Sequence, residues 1–379
     1  MPAVSVLVKP ASGNCNMHCD YCFYCDESSK REKSSYGMMT PETLKNVIRR
    51  TVMRADNGYS IAFQGGEPTL CGLDFYRTAV RYVEQYNRKN VPVSYALQTN
   101  GYAIDEDWAV FFKEHGFLIG VSVDGTERIH NGYRHGNDGG NSYEHALKTT
   151  MLLERFGVDY NILTVVHAKT AENIRSIYTD YKNRGWDYLQ FIACLDPLNE
   201  PRGKKEYSLT PQRYGRFLID LFDMWYDDLQ RGKAPYIRQF DNYLQILEGI
   251  RPESCEQTGI CGVQYVAEAD GSVYPCDFYV LDEYRLGNFN DDLLPAIDAA
   301  RKHSAFVEES RIKPDECLQC RWYSLCRGGC RRCRFTAHEK AADPAVTEGM
   351  NYFCDGYRMF FEACGERLFE IAGKNRSGK

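Results

Sequence analysis

Cys15, Cys19 and Cys22 stand three and then two residues apart in the stretch Lys9-Pro-Ala-Ser-Gly-Asn-Cys15-Asn-Met-His-Cys19-Asp-Tyr-Cys22-Phe23, directly after an apolar run. Thiolates are soft ligands that select zinc, copper(I) or iron–sulfur clusters. Structural zinc takes four ligands, so three local thiols leave one coordination position open. A cube of four irons held by three thiolates would keep one iron free for a substrate or cofactor. A zinc knuckle completed by Cys25 or His18 is the alternative.

A second concentration of thiols lies near the C-terminus. It reads Cys255-x5-Cys261-x9-Gly271-x4-Cys276, then Cys317-x2-Cys320-x5-Cys326-x3-Cys330, then Cys354. Of the sixteen cysteines in 379 residues, four lie between Cys15 and Cys25 and ten between Cys255 and Cys364. Two four-thiolate zinc sites would account for the C-terminal set while leaving the N-terminal triplet unexplained. The segment Asp270-Gly271-Ser-Val-Tyr reads as a hairpin turn, which carries Cys276 and Asp277 back toward the body of the chain. An acid beside a cysteine ligand can serve as a hydrogen-bond partner of the site or as a solvated turn residue.

The elements that must position these groups alternate between strand and helix. Strands are expected at Val4–Val8, Tyr59–Phe63, Val93–Leu97, Leu118–Val123, Tyr160–Val166 and Tyr188–Ile192. Thr40-Pro41-Glu42 and Thr210-Pro211 offer an N-cap followed by proline at the first helical position, the second opening a helix to about Gln230. Ser142 is expected to cap a helix to about Phe156. Six strands with helical crossovers make an α/β partial barrel, in which chemistry gathers at the C-terminal strand ends. Those ends carry Gln64-Gly65-Gly66-Glu67-Pro68, Gln98-Thr99-Asn100-Gly101 and Ser122-Val123-Asp124-Gly125. Glycines allow backbone to approach a ligand closely, and carbonyls with a carboxylate suit an ammonium group. The expected division is a barrel domain over residues 1–235 and a smaller cysteine-rich domain with a C-terminal helix over 236–379.

The bulk numbers exclude several classes. A net charge of -6 gives no electrostatic case for nucleic acid or an anionic membrane. No apolar run approaches the roughly 18 residues of a membrane span, and the N-terminus lacks an export signal, so a cytoplasmic protein is expected. In that compartment disulfides are rare, and abundant cysteine points to metal or catalytic chemistry.

The triplet followed by an aromatic resembles the radical S-adenosylmethionine (SAM) enzymes, and the C-terminal thiols resemble their SPASM extension. Nearly the whole chain, including Gln64-Gly-Gly-Glu-Pro, Gln98-Thr-Asn-Gly, Gln190-Phe-Ile, Leu195-Asp-Pro and Cys276-Asp-Phe-Tyr, is similar to the anaerobic sulfatase-maturating enzymes. The resemblance implies a (β/α)6 radical SAM barrel and a SPASM domain, with three 4Fe–4S clusters and SAM as cofactors. Cys15, Cys19 and Cys22 would hold the first cluster. Cys255, Cys261, Cys276 and Cys330 would hold a nearer auxiliary cluster, and Cys317, Cys320, Cys326 and Cys354 a farther one. SAM would be met by Tyr21, Gly65, Gly66, Glu67, Ser122, Asp124, Arg134 and Leu195, and a peptide by Gln64 and Gln98. Asp277 would be the catalytic base. The implied reaction is oxygen-independent oxidation of a cysteine or serine, in an unfolded sulfatase or peptide with a Cys/Ser-x-Pro-x-Arg motif, to Cα-formylglycine. Flavodoxin or ferredoxin would supply electrons to a monomeric enzyme. A maturase that installs a thioether or carbon–carbon crosslink in a ribosomal peptide is the alternative. Cys25 departs from the family pattern, and Cys71, Cys194, Cys333 and Cys364 are also surplus to the ligand sets.

Overall fold

The run Val4–Val8 places three valines at every second position, and β-branched residues suit a pleated, buried strand. It is the first of twelve strands in the computed structural model, which describes residues 3–377. The described residues form two compact units. The first comprises the residues up to Val123, with His130–Asn161 and Val263–Phe306; the second comprises Asp124–Ile129, Ile162–Gly262 and the residues from Val307 onward.

In chain order the strands are β1 (Val4–Val8), β2 (Met17–Cys19), β3 (Tyr59–Phe63), β4 (Val93–Thr99), β5 (Phe117–Ser122), β6 (Arg134–Gly136), β7 (Tyr160–Val166), β8 (Tyr188–Ala193), β9 (Tyr236–Ile237), β10 (Tyr265–Ala267), β11 (Ser272–Tyr274) and β12 (Gly287–Asn288). Within the first unit β10, β1, β3, β4 and β5 run parallel in that order. The hairpin strands β11 and β12 extend it antiparallel beyond β10. Within the second unit β8 pairs in parallel with β7 and β9. All six strands expected from the sequence are present. β4 and β8 run on to Thr99 and Ala193, and β5 is Phe117–Ser122 rather than Leu118–Val123.

The register of the first unit separates two faces. Val6, Val8, Tyr59, Ile61, Phe63, Leu97, Ile119 and Val121 are buried on one side. The other side carries Ser5, Ser60, Ala62, Ser94, Ala96, Leu118 and Gly120, and Ser94, Gln98 and Leu118 are exposed there. Small side chains on an otherwise apolar sheet leave space above it, and Gln64 and Gln98 stand at the C-terminal end of that open face.

Two expected caps hold: Thr40 accepts from Thr43 N and Thr210 from Arg213 N, each followed by proline. The third is corrected. Asn141, not Ser142, caps the helix Ser142–Arg155 by accepting from Glu144 N. The Ser142 hydroxyl is engaged with Asn131 Oδ1 and the Arg134 carbonyl; asparagine caps as well as serine. In the second unit the helix Pro211–Gln230 packs on the C-terminal helix Cys354–Ser377, where a Cβ on Gly356 would lie 2.4 Å from the Pro211 carbonyl. Among the described residues no helix is long and apolar enough to cross a membrane.

Candidate active site

The cysteine loop leaves β1 and is fastened to the loop after β3. Gly66 N donates to Ser12 O at 2.9 Å and Glu67 N to Asn14 O at 2.7 Å. A Cβ on Gly66 would sit 2.0 Å from Asn14 O, so this approach requires glycine. Cys19 ends β2 opposite Arg134 of β6, and Cys22 is the N-cap of the helix Phe23–Ser29. Burial pushes the Cys15 thiol up to about 11, with the Arg134 charge among the groups working against it. A hydrogen bond with Cys25 is the main cause that brings Cys22 down to about 6.

Among the described residues no three His, Cys, Asp or Glu side chains stand close enough to hold a single metal ion. Thiolates are the donor set that an iron–sulfur cluster takes.

Glu67 lies under the cysteine loop, 1% exposed. Its carboxylate accepts from Thr69 N at 3.0 Å, Thr69 Oγ1 at 2.6 Å, Thr99 Oγ1 at 2.9 Å and Asn100 N at 2.8 Å. Burial pushes its carboxyl up and these donors pull it back. Glu67 therefore knots the glycine loop to the end of β4, a task the sequence did not reveal. Asn100 continues the chain of contacts: its Nδ2 donates to Asn16 Oδ1 at 2.8 Å and lies 3.8 Å from Cys15 Sγ. Arg134 Nη1 donates to the Tyr21 hydroxyl at 3.1 Å, joining two of the residues expected at SAM. Ser122 is half-buried at the end of β5. Asp124 and Leu195 belong to the second unit, where Asp124 Oδ1 accepts from Val165 N at 2.8 Å and Leu195 is half-buried after β8.

The expected hairpin is formed by β10 and β11, with Gly271 at φ +87° closing the turn. It delivers Asp277, 7% exposed, to Gln64 and Tyr24. Asp277 Oδ2 accepts from the Tyr24 hydroxyl at 2.7 Å and from Gln64 Nε2 at 2.6 Å. Asp277 Oδ1 is buried without a hydrogen-bond partner among the described residues. Burial pushes this carboxyl up, against the Lys9 ammonium and the two donors. Lys9 lies 3.5 Å from Glu268 and 4.8 Å above the Tyr24 ring, and Arg31 pairs with Glu268 at 2.7 Å. Two buried cations thus face two buried carboxylates. Lys9, Tyr24, Arg31 and Glu268 were missed from the sequence; the one available signal was a lysine ending the apolar strand β1. Gln98, the second residue expected at the peptide, is exposed on the open face.

In the second unit Cys317, Cys320, Cys326 and Cys354 line one pocket with Trp322, Tyr357 and Arg358. Cys255 is in electrostatic contact with Cys261 and Cys330, while Cys276 belongs to the first unit. Arg334 donates to the carbonyls of Gly259, Ser310, Gly328 and Gly329 and so shapes the loops carrying these thiols. Of the surplus cysteines, Cys194, Cys333 and Cys364 are buried, Cys71 is half-buried and Cys25 is exposed.

The radical SAM superfamily model matches residues 10–180 and the iron–sulfur cluster-binding (SPASM) domain model residues 261–321. The cysteine-type anaerobic sulfatase-maturating enzyme of Clostridium novyi is 44% identical over 374 residues, covering 98% of both chains. The chain belongs to the anaerobic sulfatase-maturating enzymes. The serine-type member from Bacteroides thetaiotaomicron is 30% identical over 373 residues, covering 94% of this chain and 88% of that one. A solved structure, native anSMEcpe with bound AdoMet and the Kp18Cys peptide, superposes with a TM-score of 0.91 at 42% identity, covering 98% of this chain and 100% of that one. This sulfatase-maturase family member is therefore a radical SAM oxidoreductase with a SPASM domain, and 4Fe–4S clusters and SAM are its cofactors. A crosslinking peptide maturase is not favoured by relatives of this identity and coverage.

Proposed function

We propose that this chain oxidises a cysteine within a sulfatase polypeptide to Cα-formylglycine without O2. The observation that carries this reading is the unpartnered Oδ1 of Asp277, beside an Oδ2 held by Tyr24 and Gln64. Leaving a buried acceptor unmade costs about 1–3 kcal/mol. A group kept in that state awaits a donor brought by a ligand, and a substrate thiol is such a donor. The likeness to cysteine-type enzymes at 44% identity, against 30% for a serine-type one, supports cysteine as the target.

Conversion of the thiol to an aldehyde removes a hydrogen atom from Cβ, then a proton from sulfur and an electron, giving a thioaldehyde. Water hydrolyses it to the aldehyde and hydrogen sulfide. Asp277 takes the sulfur proton at Oδ1. Tyr24 and Gln64 fix the orientation of that carboxylate, and the Lys9 ammonium stabilises its charge before the proton arrives. The clusters and SAM, when bound, supply the hydrogen abstraction at Cβ and accept the remaining electron. The ligand sets are those inferred above, three clusters in all, with residues 1–235 and 236–379 as the two functional parts. The Tyr21–Arg134 pair and the glycine loop form the core of the SAM contacts. Ser122, Asp124 and Leu195 complete them, and Gln64 and Gln98 face the peptide. A flavodoxin or ferredoxin as reductant, a monomeric state and a cytoplasmic location belong to the same proposal.

The test is mass spectrometry of a Cys-x-Pro-x-Arg peptide and its serine counterpart after anaerobic incubation with SAM and reductant. Conversion of the cysteine peptide to the aldehyde is expected. No aldehyde from either peptide, with clusters loaded, overturns the reading, and faster conversion of the serine peptide overturns the choice of cysteine.

A further inference from the structure

Cys25 is a thiol the reaction leaves unused, and it does not stand alone. Cys22 is the N-cap of the helix Phe23–Ser29, which makes Cys25 its third residue. Side chains at these two positions face each other across the first turn, the geometry a capping box exploits. Here both are thiols, and the turn beneath them is closed by Asp26 N on Cys22 O at 3.2 Å. Cys15 and Cys19 lie within electrostatic reach of Cys25 as well. Cys25 is exposed, so a small oxidant reaches it. Cys330 and Cys333 repeat the same spacing, but Cys333 is 4% exposed.

We propose that Cys25 is a resolving thiol for Cys22: when oxidant strips the N-terminal cluster, the two close into a disulfide that preserves Cys22 for rebuilding. The proposal rests on Cys22 being a cluster ligand. Hydrogen peroxide, a product of O2 at reduced clusters, is the oxidant. One thiol and one peroxide give a sulfenic acid and water. The second thiol displaces that hydroxyl, forming the sulfur–sulfur bond and a second water. Without a neighbouring thiol the sulfenic acid goes on to sulfinic and sulfonic acids, which are irreversible here. A dithiol reductant returns the disulfide to two thiols while its own sulfurs become a disulfide. The arrangement has the geometry of the Cys-x-x-Cys redox motifs, with an iron–sulfur ligand as one of the pair.

The sequence offers a clean readout. Cleavage before Asp20 and before Asp26 releases Asp20–Cys25, a peptide in which Cys22 and Cys25 are the two cysteines. Cluster-loaded full-length protein is treated anaerobically with hydrogen peroxide, alkylated, digested at aspartate and analysed by mass spectrometry. Iron content before treatment tests the ligand assignment separately. The parent peptide is expected to be unalkylated and lighter by two hydrogen atoms than its dithiol form. In Cys25→Ser and Cys25→Ala the same peptide is expected to carry sulfinic or sulfonic Cys22. After dithiothreitol, iron and sulfide, the parent should regain its N-terminal cluster several-fold more completely than either variant. Linkage of Cys22 to Cys15 or Cys19 overturns the proposal, as does equal over-oxidation of Cys22 in parent and variants.

Discussion

Asp277 shows how one side chain divides its two oxygens. Oδ2 is committed to Tyr24 and Gln64, and Oδ1 is buried without a hydrogen-bond partner among the described residues, the atom proposed to take the substrate proton. Asp277→Asn keeps the size of the group but removes its capacity to take a proton at neutral pH. The variant is expected to retain its iron and its cleavage of SAM while losing formylglycine. The ratio of 5′-deoxyadenosine to formylglycine reads this directly, and a parent-like ratio at a parent-like rate would remove Asp277 from the reaction. Tyr24→Phe is the milder companion. It deletes one donor to Oδ2 and leaves Gln64 in place, so about 1–1.5 kcal/mol of positioning is lost. That corresponds to roughly a tenfold fall in kcat/KM for the peptide, with SAM binding by equilibrium dialysis unchanged.

At the scale of elements, the end of β1, the segment just after the helix Phe23–Ser29 and the β10–β11 hairpin meet around Glu268. Its carboxylate is buried with Lys9 and Arg31. Burial pushes this carboxyl up, but the two cations outweigh it and hold the group below its ordinary value. A carboxyl depressed in the folded state contributes stability above its unfolded value, about 4.3, and loses it as pH falls through the folded value. Glu268→Gln strands two buried cations and is expected to cost about 3–5 kcal/mol at neutral pH. The difference in urea midpoint between parent and variant should narrow as pH drops below about 4; a constant difference from pH 7 downward would show that the charge of Glu268 does not matter. This network also marks the limit of legibility. Strands, proline-led helix starts and the hairpin turn were readable because each depends on neighbours in sequence. Lys9, Arg31 and Glu268 meet across as many as 259 positions, and no local pattern announces a buried ion pair. Glu67 is the same case in miniature: the sequence marks it as an acid in a glycine loop, while its ties to Thr99 and Asn100 arise from packing β3 beside β4. Ser142 failed as a cap for the opposite reason, since Asn141 offered an equivalent acceptor one residue earlier.

At the scale of the whole molecule, the proposed ligands divide unevenly between the two units. Cys15, Cys19, Cys22 and Cys276 lie in the first, and the other seven lie in the second. The N-terminal three are borne by a loop, a short strand and a helix start within the first 22 residues. Seven of the eight remaining ligands lie in the second unit. The C-terminal pocket lined by Cys317, Cys320, Cys326 and Cys354 is built wholly within the second unit. Replacing Cys15, Cys19 and Cys22 together by alanine should therefore remove one cluster and spare two. Fully loaded parent should carry about twelve irons and the triple variant about eight, counting four irons per cluster. The variant should keep a cooperative thermal transition, since the three thiols are partly exposed and alanine fills no new space. It should produce no 5′-deoxyadenosine from SAM under reducing conditions. Iron near twelve in the triple variant would move the N-terminal ligands elsewhere in the chain. Sustained 5′-deoxyadenosine production would place SAM cleavage at another cluster. Stoichiometric zinc with little iron or sulfide in the anaerobically loaded parent would reject clusters for the thiols altogether.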